Sequence, residues 1–351
     1  MRHVLRWCTL AGITAALLGL TVPASAATGW TQVTPPTLPA GTQNFLNGSF
    51  ALSDTDTWAV GESTNASAGT EAPLALNWNG TTWSSVPTPT PSGSTPNWLF
   101  ESVAASSASD AWAVGEQSSG TKIHDSLYEH WNGTAWSVVT GPNEGVLTAV
   151  LDFSPTNAYA FADFAVLHWN GTAWSVVAGA VPALEVSADG PNDIWGVSRD
   201  DMVTHYNGTS WSSTTLAAGT PDLQSVVALS PTDVWVSGAT TTGTVGPILE
   251  HFNGTSWQVQ SLPSSFAGDG LNAVTAKSDS DVWVFSNTGS PSVPLLLANW
   301  NGSSWTTSPS PLPADTEASI GSAASSPSHV WLFGTYLSAS AGDQPLILSH
   351  S

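Results

Sequence analysis

The chain has very little positive charge and almost no cysteine. Five Lys and Arg residues stand against 26 Asp and Glu residues, so the formal net charge is −21. A protein that binds a nucleic-acid backbone or docks on an anionic membrane surface needs a basic face, which this composition cannot supply. The single cysteine, Cys8, lies before an early apolar run. Disulfide bonds and thiol catalysis are therefore excluded from the rest of the chain.

Residues 1–26 have the pattern of a signal peptide. Two arginines provide a positive start, an apolar run extends to Leu20, and Ala24-Ser25-Ala26 fits a small-residue cleavage site. The run is too short to span a bilayer comfortably, and no later stretch approaches the needed length. The pattern predicts export, cleavage after Ala26, release without membrane insertion, and one domain over residues 27–351.

Two short motifs alternate along that domain, which is typical of a repeat protein. The first reads S-x-x-D-x-W-x-V-G and recurs seven times, at Ser53–Gly61, Ser107–Gly115, Ser154–Ala162, Gly190–Ser198, Ser230–Gly238, Ser278–Ser286 and Ser326–Gly334. The second reads W-N-G-T-x-W and has six complete copies, at Trp78–Trp83, Trp131–Trp136, Trp169–Trp174, Tyr206–Trp211, Phe252–Trp257 and Trp300–Trp305. Its seventh copy is split between the chain ends, because Pro345–His350 resembles the run before each copy and Thr28–Val33 resembles its second half.

Each repeat predicts four short strands. A Ser-Pro-Thr-Asp turn, as at Ser230–Asp233, joins the first two, because Pro presets φ and Asp bonds nearby backbone. Asn-Gly predicts a two-residue type I′ turn between the last two. No window beyond the first 26 residues has a convincing helical period. The sequence therefore predicts an all-β, seven-bladed β-propeller with four antiparallel strands per blade. Pairing of the N- and C-terminal strands closes it, with Trp30–Val33 as the outer strand of the last blade.

With these motifs, residues 27–351 resemble the secreted, Trp-rich β-propeller proteins of actinomycetes. The chain is more distantly similar to WD40, kelch and sialidase-type Asp-box propellers, although the Gly-x-Thr-Trp ending of the Asp box is absent. The resemblance implies the propeller architecture and no particular activity, because propellers host many functions.

The repeated polar residues favour structural roles over catalysis or metal binding. The aspartates that end the first turn are Asp56, Asp110, Asp193, Asp233 and Asp281. Turn capping explains them, since Asn157 can do the same bonding without charge. The histidines before the second motif are His130, His168, His205 and His251. Histidines in separate blades cannot converge on one metal, so we expect a structural hydrogen bond. The repeated Trp residues are expected to pack blade against blade, with carbohydrate binding as the alternative.

Outside the repeat, carboxylates concentrate in the connections between strands 4 and 1 and between strands 2 and 3. Both sets of connections lie on one face of a propeller. The candidate ligand-binding residues there are Trp98, Glu101, Glu144, Asp222 and Asp269. One interpretation is a solvated acidic face. The other is a binding face for a basic partner, a polyol or a cation, of which Ca²⁺ is the one that such oxygens suit. No other cofactor is expected.

These observations favour a secreted, monomeric, non-catalytic binding propeller for an extracellular glycan or protein. The alternative is a propeller glycoside hydrolase or lyase that uses paired carboxylates. Sialidase-type chemistry is excluded because it needs an arginine cluster, and Arg199 is the one arginine after the signal peptide. A galactose-oxidase-type cofactor is excluded because it needs a cysteine. A purely structural surface protein is the third alternative.

Overall fold

The computed structural model describes most of the chain after the predicted signal peptide. The described residues are 29–89, 97–119, 122–198, 202–216, 221–240, 243, 245–290, 293–313, 316–338 and 342–351. The predicted signal peptide, residues 1–26, lies outside them. Within the described residues, no helix has the length and apolar character needed to cross a membrane.

The chain enters at β1 (Trp30–Gln32) and then forms four blades in succession. Blade 1 contains β2 (Gln43–Ser53), β3 (Asp56–Asn65), β4 (Thr70–Trp78) and β5 (Trp83–Ser85). Blade 2 contains β6 (Asn97–Ser107), β7 (Asp110–Ser119), β8 (Lys122–Trp131) and β9 (Trp136–Val138). Blade 3 contains β10 (Leu147–Ser154), β11 (Asn157–Ala162), β12 (Val166–Trp169) and β13 (Trp174–Val176). Blade 4 contains β14 (Glu185–Gly190), β15 (Asp193–Val197), β16 (Met202–Tyr206) and β17 (Trp211–Thr215).

Three further blades complete the ring. Blade 5 contains β18 (Pro221–Ser230), β19 (Asp233–Thr240), β20 (Pro247–Phe252) and β21 (Trp257–Val259). A short 3₁₀-helix, Ser264–Phe266, leads to blade 6, which contains β22 (Ala273–Ser278), β23 (Asp281–Ser290), β24 (Val293–Trp300) and β25 (Trp305–Ser308). Blade 7 contains β26 (Ala318–Ser325), β27 (Val330–Ser338), β28 (Gly342–His350) and, as its fourth strand, β1.

Each blade is a meander of four antiparallel strands, so the predicted seven-bladed propeller is confirmed. The first strands of all seven blades line a central channel with a volume of about 240 Å³. One parallel bridge, between Glu71 and Asn97, also links blade 1 to blade 2.

The ring closes as the split repeat predicts. Trp30 pairs with His350 and Gln32 with Leu348, which makes β1 the outer strand of blade 7. The backbone N–H of Val33 continues the ladder by donating to the Ile347 carbonyl at 2.9 Å. The two ends of the chain are therefore held in one sheet.

The apolar core lies between neighbouring blades, where the repeated Trp residues meet. The ring of Trp136 in blade 2 stands edge-on to Trp58 in blade 1, with centroids 5.2 Å apart and an interplanar angle of 81°. We call the interface between two neighbouring blades a seam. In the seam between blades 2 and 3, Trp174 is edge-on to Trp112, with centroids 4.9 Å apart and an interplanar angle of 80°. Such edge-to-face pairs add to the free energy already gained from burying the rings. Blade packing therefore explains why Trp recurs at these positions.

The predicted two-residue Asn-Gly turn is wrong. In blade 1, Trp78 pairs with Trp83, so four residues form the loop. The Asn79 side-chain oxygen accepts the backbone N–H groups of residues 81 and 82, each at 3.0 Å. Gly80 has a positive φ of +90°, but Asn79 does not have a positive φ. Among the described non-glycine residues, His124 is the one with a positive φ. The Asn side chain satisfies the loop amides itself, so Asn does not need the left-handed conformation that a type I′ turn requires.

Candidate functional site

The repeated aspartates bind side chains within their own blades. The Asp233 carboxylate accepts hydrogen bonds from His251 Nε2 at 2.8 Å and from Trp235 Nε1 at 3.1 Å, and the Trp235 and His251 rings are stacked. Equivalent bonds join Asp193 to His205 at 2.8 Å, Asp110 to His130 at 2.7 Å, His168 to Asn157 at 2.8 Å, Asn77 to Asp56 at 2.8 Å and Asn299 to Asp281 at 2.8 Å. The sequence predicts turn capping for these carboxylates, but it does not reveal that their partners are the side chains of strands 2 and 3.

These hydrogen-bonded pairs do not assemble a metal centre. Each lies in a separate blade, between strand 2 and strand 3 of that blade. In the part of the chain that the structure describes, no three His, Cys, Asp or Glu residues are grouped so that they could hold a metal ion. The expectation of Ca²⁺ on the acidic face therefore gains no ligand set from the described residues.

We define the top face as the end of the ring formed by the strand 4–1 and strand 2–3 connections. All five predicted ligand-binding residues lie at this end, but in different surroundings. Glu144 and Asp222 are exposed, and Asp269 is half-buried after the 3₁₀-helix. Glu101 lines the central channel, and the other four do not. Trp98 is half-buried against the cluster of apolar side chains between blades 1 and 2.

Glu101 reaches the channel because β6 has a bulge at this position, between Phe100 and Ser102. First-strand bulges at the same repeat position carry Asn47 and Gln224 in blades 1 and 5, and both also line the channel. A bulge re-aims the side chain of its extra residue. Glu185 is the other carboxylate of the channel lining. The mouth is therefore polar, with side-chain amides alongside two acids.

Sequence reasoning missed the most exposed large apolar side chain among the described residues. Phe164 is 87% exposed at the tip of the tight connection between β11 and β12, which the Ala162 N–H closes by donating to the Ala165 carbonyl. Val245 and Leu337, each about half exposed, lie at the same end in blades 5 and 7. Phe164 is the one aromatic residue of the strand 2–3 connections, but the sequence alone does not show that the turn projects it into solvent.

Carboxylates are the most frequent charged groups in the top-face connections, and some of them are held by neighbouring side chains. Asn143 Nδ2 donates to Asp125 Oδ1 at 2.5 Å beside a cavity of about 200 Å³ in blade 2. Glu116 pairs with the half-exposed His124. At the opposite end of the ring, Lys277 is paired with Asp281 at 2.9 Å. In the sequence, Lys122 begins β8 and Arg199 lies between β15 and β16, but carboxylates outnumber these two basic residues in the strand 4–1 and strand 2–3 connections, so the net charge of the top face is negative.

Two further carboxyl groups are buried in the seams between blades. Burial raises the pKa of Glu129 to about 8. Burial, and then the charge of Asp110, raise the pKa of Asp152 to about 8. Neither residue lines the central channel or the blade 2 cavity. They are therefore poorly placed to act as the paired carboxylates of a glycoside hydrolase.

Comparison with known proteins supports the fold alone. No protein-family model matches the chain, and no curated protein matches it. Among solved structures, it is similar to YCF48 bound to D1 peptide, with 15% identity, a TM-score of 0.63, and coverage of 93% of this chain and 98% of that one. YCF48 from Cyanidioschyzon merolae gives 18% identity, a TM-score of 0.62 and coverage of 92% and 98%. The GH74 xyloglucanase from Xanthomonas campestris gives 14% identity, a TM-score of 0.56 and coverage of 90% and 55%.

Proposed function

We propose that the chain is a secreted, non-catalytic binding propeller that holds a segment of another extracellular protein on its top face. The observation that carries this proposal is Phe164, a large apolar side chain held in solvent at a hairpin tip. Burying an aromatic side chain of this size in a partner is strongly favourable, and such anchors dominate the energy of protein interfaces.

The net charge of the top face indicates the charge of the partner. Exposed carboxylates at Glu144, Asp222 and Glu317 lie on the same face. A segment with Lys or Arg next to an apolar side chain complements both features, because opposite potentials steer the encounter and the apolar contact retains the complex. The similar structure of YCF48 is bound to D1 peptide, which supports a peptide as the kind of ligand.

The hydrolase alternative has less support from the site. A glycosidase needs two carboxyl groups facing one groove that admits a sugar. Glu101 and Glu185 share the central channel, but each already has an interaction partner within the chain. The xyloglucanase resembles the chain in fold only, at 14% identity.

A selection of displayed random peptides on the immobilised protein tests the proposal. We expect enrichment of peptides that combine basic residues with an apolar side chain, and loss of their binding in Phe164→Ser. Val259→Ser is the matched control, since Val259 is 66% exposed on the outer strand β21. The proposal is overturned if no peptide is enriched, if Phe164→Ser binds as well as the control, or if a glycan panel or glycosidase assay is positive instead.

A further inference from the structure

Two carboxyl groups occupy positions where the repeat usually places small or apolar residues. Glu129 lies on β8, and the residues at the same repeat position are Leu76, Leu167, Thr204, Glu250, Ala298 and Ser349. Asp152 lies on β10, where the other blades carry Ala51, Ala105, Ala188, Ala228, Ala276 and Ser325. Glu250 of blade 5 is the other acid at these positions, and, unlike Glu129, it has an interaction within the chain. The two seams of blade 2 therefore combine two buried acids that each have an unpartnered oxygen.

Glu129 is enclosed by apolar groups in the seam between blades 1 and 2. It is fully buried, and it pairs with Ala113 on β7. Ala113 belongs to the cluster in which Trp58 of blade 1 meets Trp136 of blade 2. In the described structure, neither carboxyl oxygen of Glu129 has a hydrogen-bond partner, and burial is the one cause of its raised pKa. A charge at this position would therefore be uncompensated.

Asp152 lies on β10 of blade 3 and faces blade 2 in the seam between these two blades. One oxygen accepts the Ser106 N–H at 3.0 Å, while the other is buried without a partner in the described structure. The charged group that faces it from blade 2 is Asp110, which is bonded to Ser106 Oγ and to His130. A second negative charge beside Asp110 would repel it as well as lose its own hydration.

We propose that Glu129 and Asp152 make blade 2 a pH-responsive element of the ring, in which neutral carboxyls keep both seams closed and their ionisation loosens them. Blade 2 carries Trp98 on β6, and Phe164 lies on the far side of the second seam. Loosening that seam changes the spacing of these two top-face side chains. The device therefore links pH to the shape of the top face, whatever that face binds.

The direction of the pH effect follows from where the protons are held. The ordinary pKa values are 4.5 for Glu129 and 3.8 for Asp152, and burial raises the pKa of each to about 8 in the folded protein. At a pH between the ordinary pKa values and about 8, both carboxyl groups have lost their protons in the unfolded chain and retain them in the folded chain. Since the folded state binds more protons, its stability falls as pH rises through this range and levels off above it.

Amide hydrogen exchange at about pH 6 and about pH 9, corrected for intrinsic rates, tests this inference. We expect protection in β6–β10 to fall by about tenfold or more at the higher pH, and the other blades to change little. The variant Glu129→Leu with Asp152→Ala places the usual repeat residues in both seams and should abolish the difference. Glu144→Gln, at an exposed carboxylate, is the control and should behave as the parent protein does.

A second pair of substitutions keeps the test valid if the first variant does not fold. Glu129→Gln with Asp152→Asn preserves shape and removes the titration, so it should also give exchange that is the same at both pH values. The inference is overturned if protection falls equally in all seven blades. It is also overturned if the neutral variants keep the pH dependence of the parent protein.

Discussion

Trp30 of β1 lies edge-on against Trp283 of blade 6, with ring centroids 5.2 Å apart and an interplanar angle of 86°. This is the same relationship that joins Trp136 to Trp58 elsewhere in the ring. Trp30 therefore does two things at once, because its backbone completes blade 7 and its side chain fills the seam with blade 6. Closure depends on packing as well as on strand pairing.

Replacing Trp30 should open the ring. Trp30→Ala removes a buried indole from the seam and should lower the free energy of unfolding by about 3–5 kcal/mol. Thermal and denaturant unfolding measure this loss. Gln32→Ala, at an exposed position of the same strand, should cost little. Equal stability of the two variants would show that the side chain of Trp30 is not part of the closure.

A second link at the closing seam runs through Asp54. Its carboxylate accepts hydrogen bonds from Ser326 Oγ at 2.6 Å and from the backbone N–H and hydroxyl of Ser328, each at 2.8 Å, so blade 1 is tied to blade 7. The Ser326 hydroxyl, then the Ser328 groups, hold the pKa of Asp54 well below its usual range. The stabilising contribution of this link is therefore complete above the ordinary pKa of 3.8, and it is lost as the pH falls from there through the lower pKa that Asp54 has in the folded protein.

Calorimetry across the acid range tests this link. Asp54→Asn should lower the melting temperature near neutral pH and reduce the further loss on acidification. Asp279→Asn is the matched control, because Asp279 occupies the same turn position in blade 6 and is exposed. If both variants melt and titrate alike, Asp54 contributes nothing special to closure.

The Asp233 carboxylate should be needed for stability and not for binding. Asp233→Ala leaves the Trp235 and His251 donors without their acceptor, at a cost of about 1–3 kcal/mol. Asp233→Asn keeps an oxygen there, as Asn157 does for His168 in blade 3, and should retain most of the stability. Full stability of the alanine variant with lost peptide binding would move Asp233 from the scaffold to the site.

The fold could be predicted because it is encoded many times over. Seven copies of one motif, six complete copies of another and the split remainder define blade number, strand order and the role of Trp30. The Asn-Gly loop was predicted wrongly because the dipeptide does not reveal what the Asn side chain bonds. In the structure, Asn79 caps two amides of its own loop, and four residues are needed to do so.

The site was harder to predict because exposure depends on the third dimension. Trp98 is the Trp of residues 27–351 that lies outside both motifs, yet it is half-buried against the seam between blades 1 and 2. Phe164 did not stand out, because nothing in the sequence around it shows that a tight turn projects it into solvent. The repeat aligns Glu129 with Leu76 and Leu167 but also with Glu250, so the sequence alone does not show that its carboxyl group is buried without a partner.

The central claim is that a partner binds on the top face at Phe164. A photo-reactive phenylalanine analogue at position 164 tests this most directly, with the same analogue at position 259 on the outer strand as control. After irradiation with a peptide from the display selection, the account predicts a covalent adduct from position 164 and none from position 259. An adduct from position 259, or none from position 164 with a peptide that still binds, would contradict it.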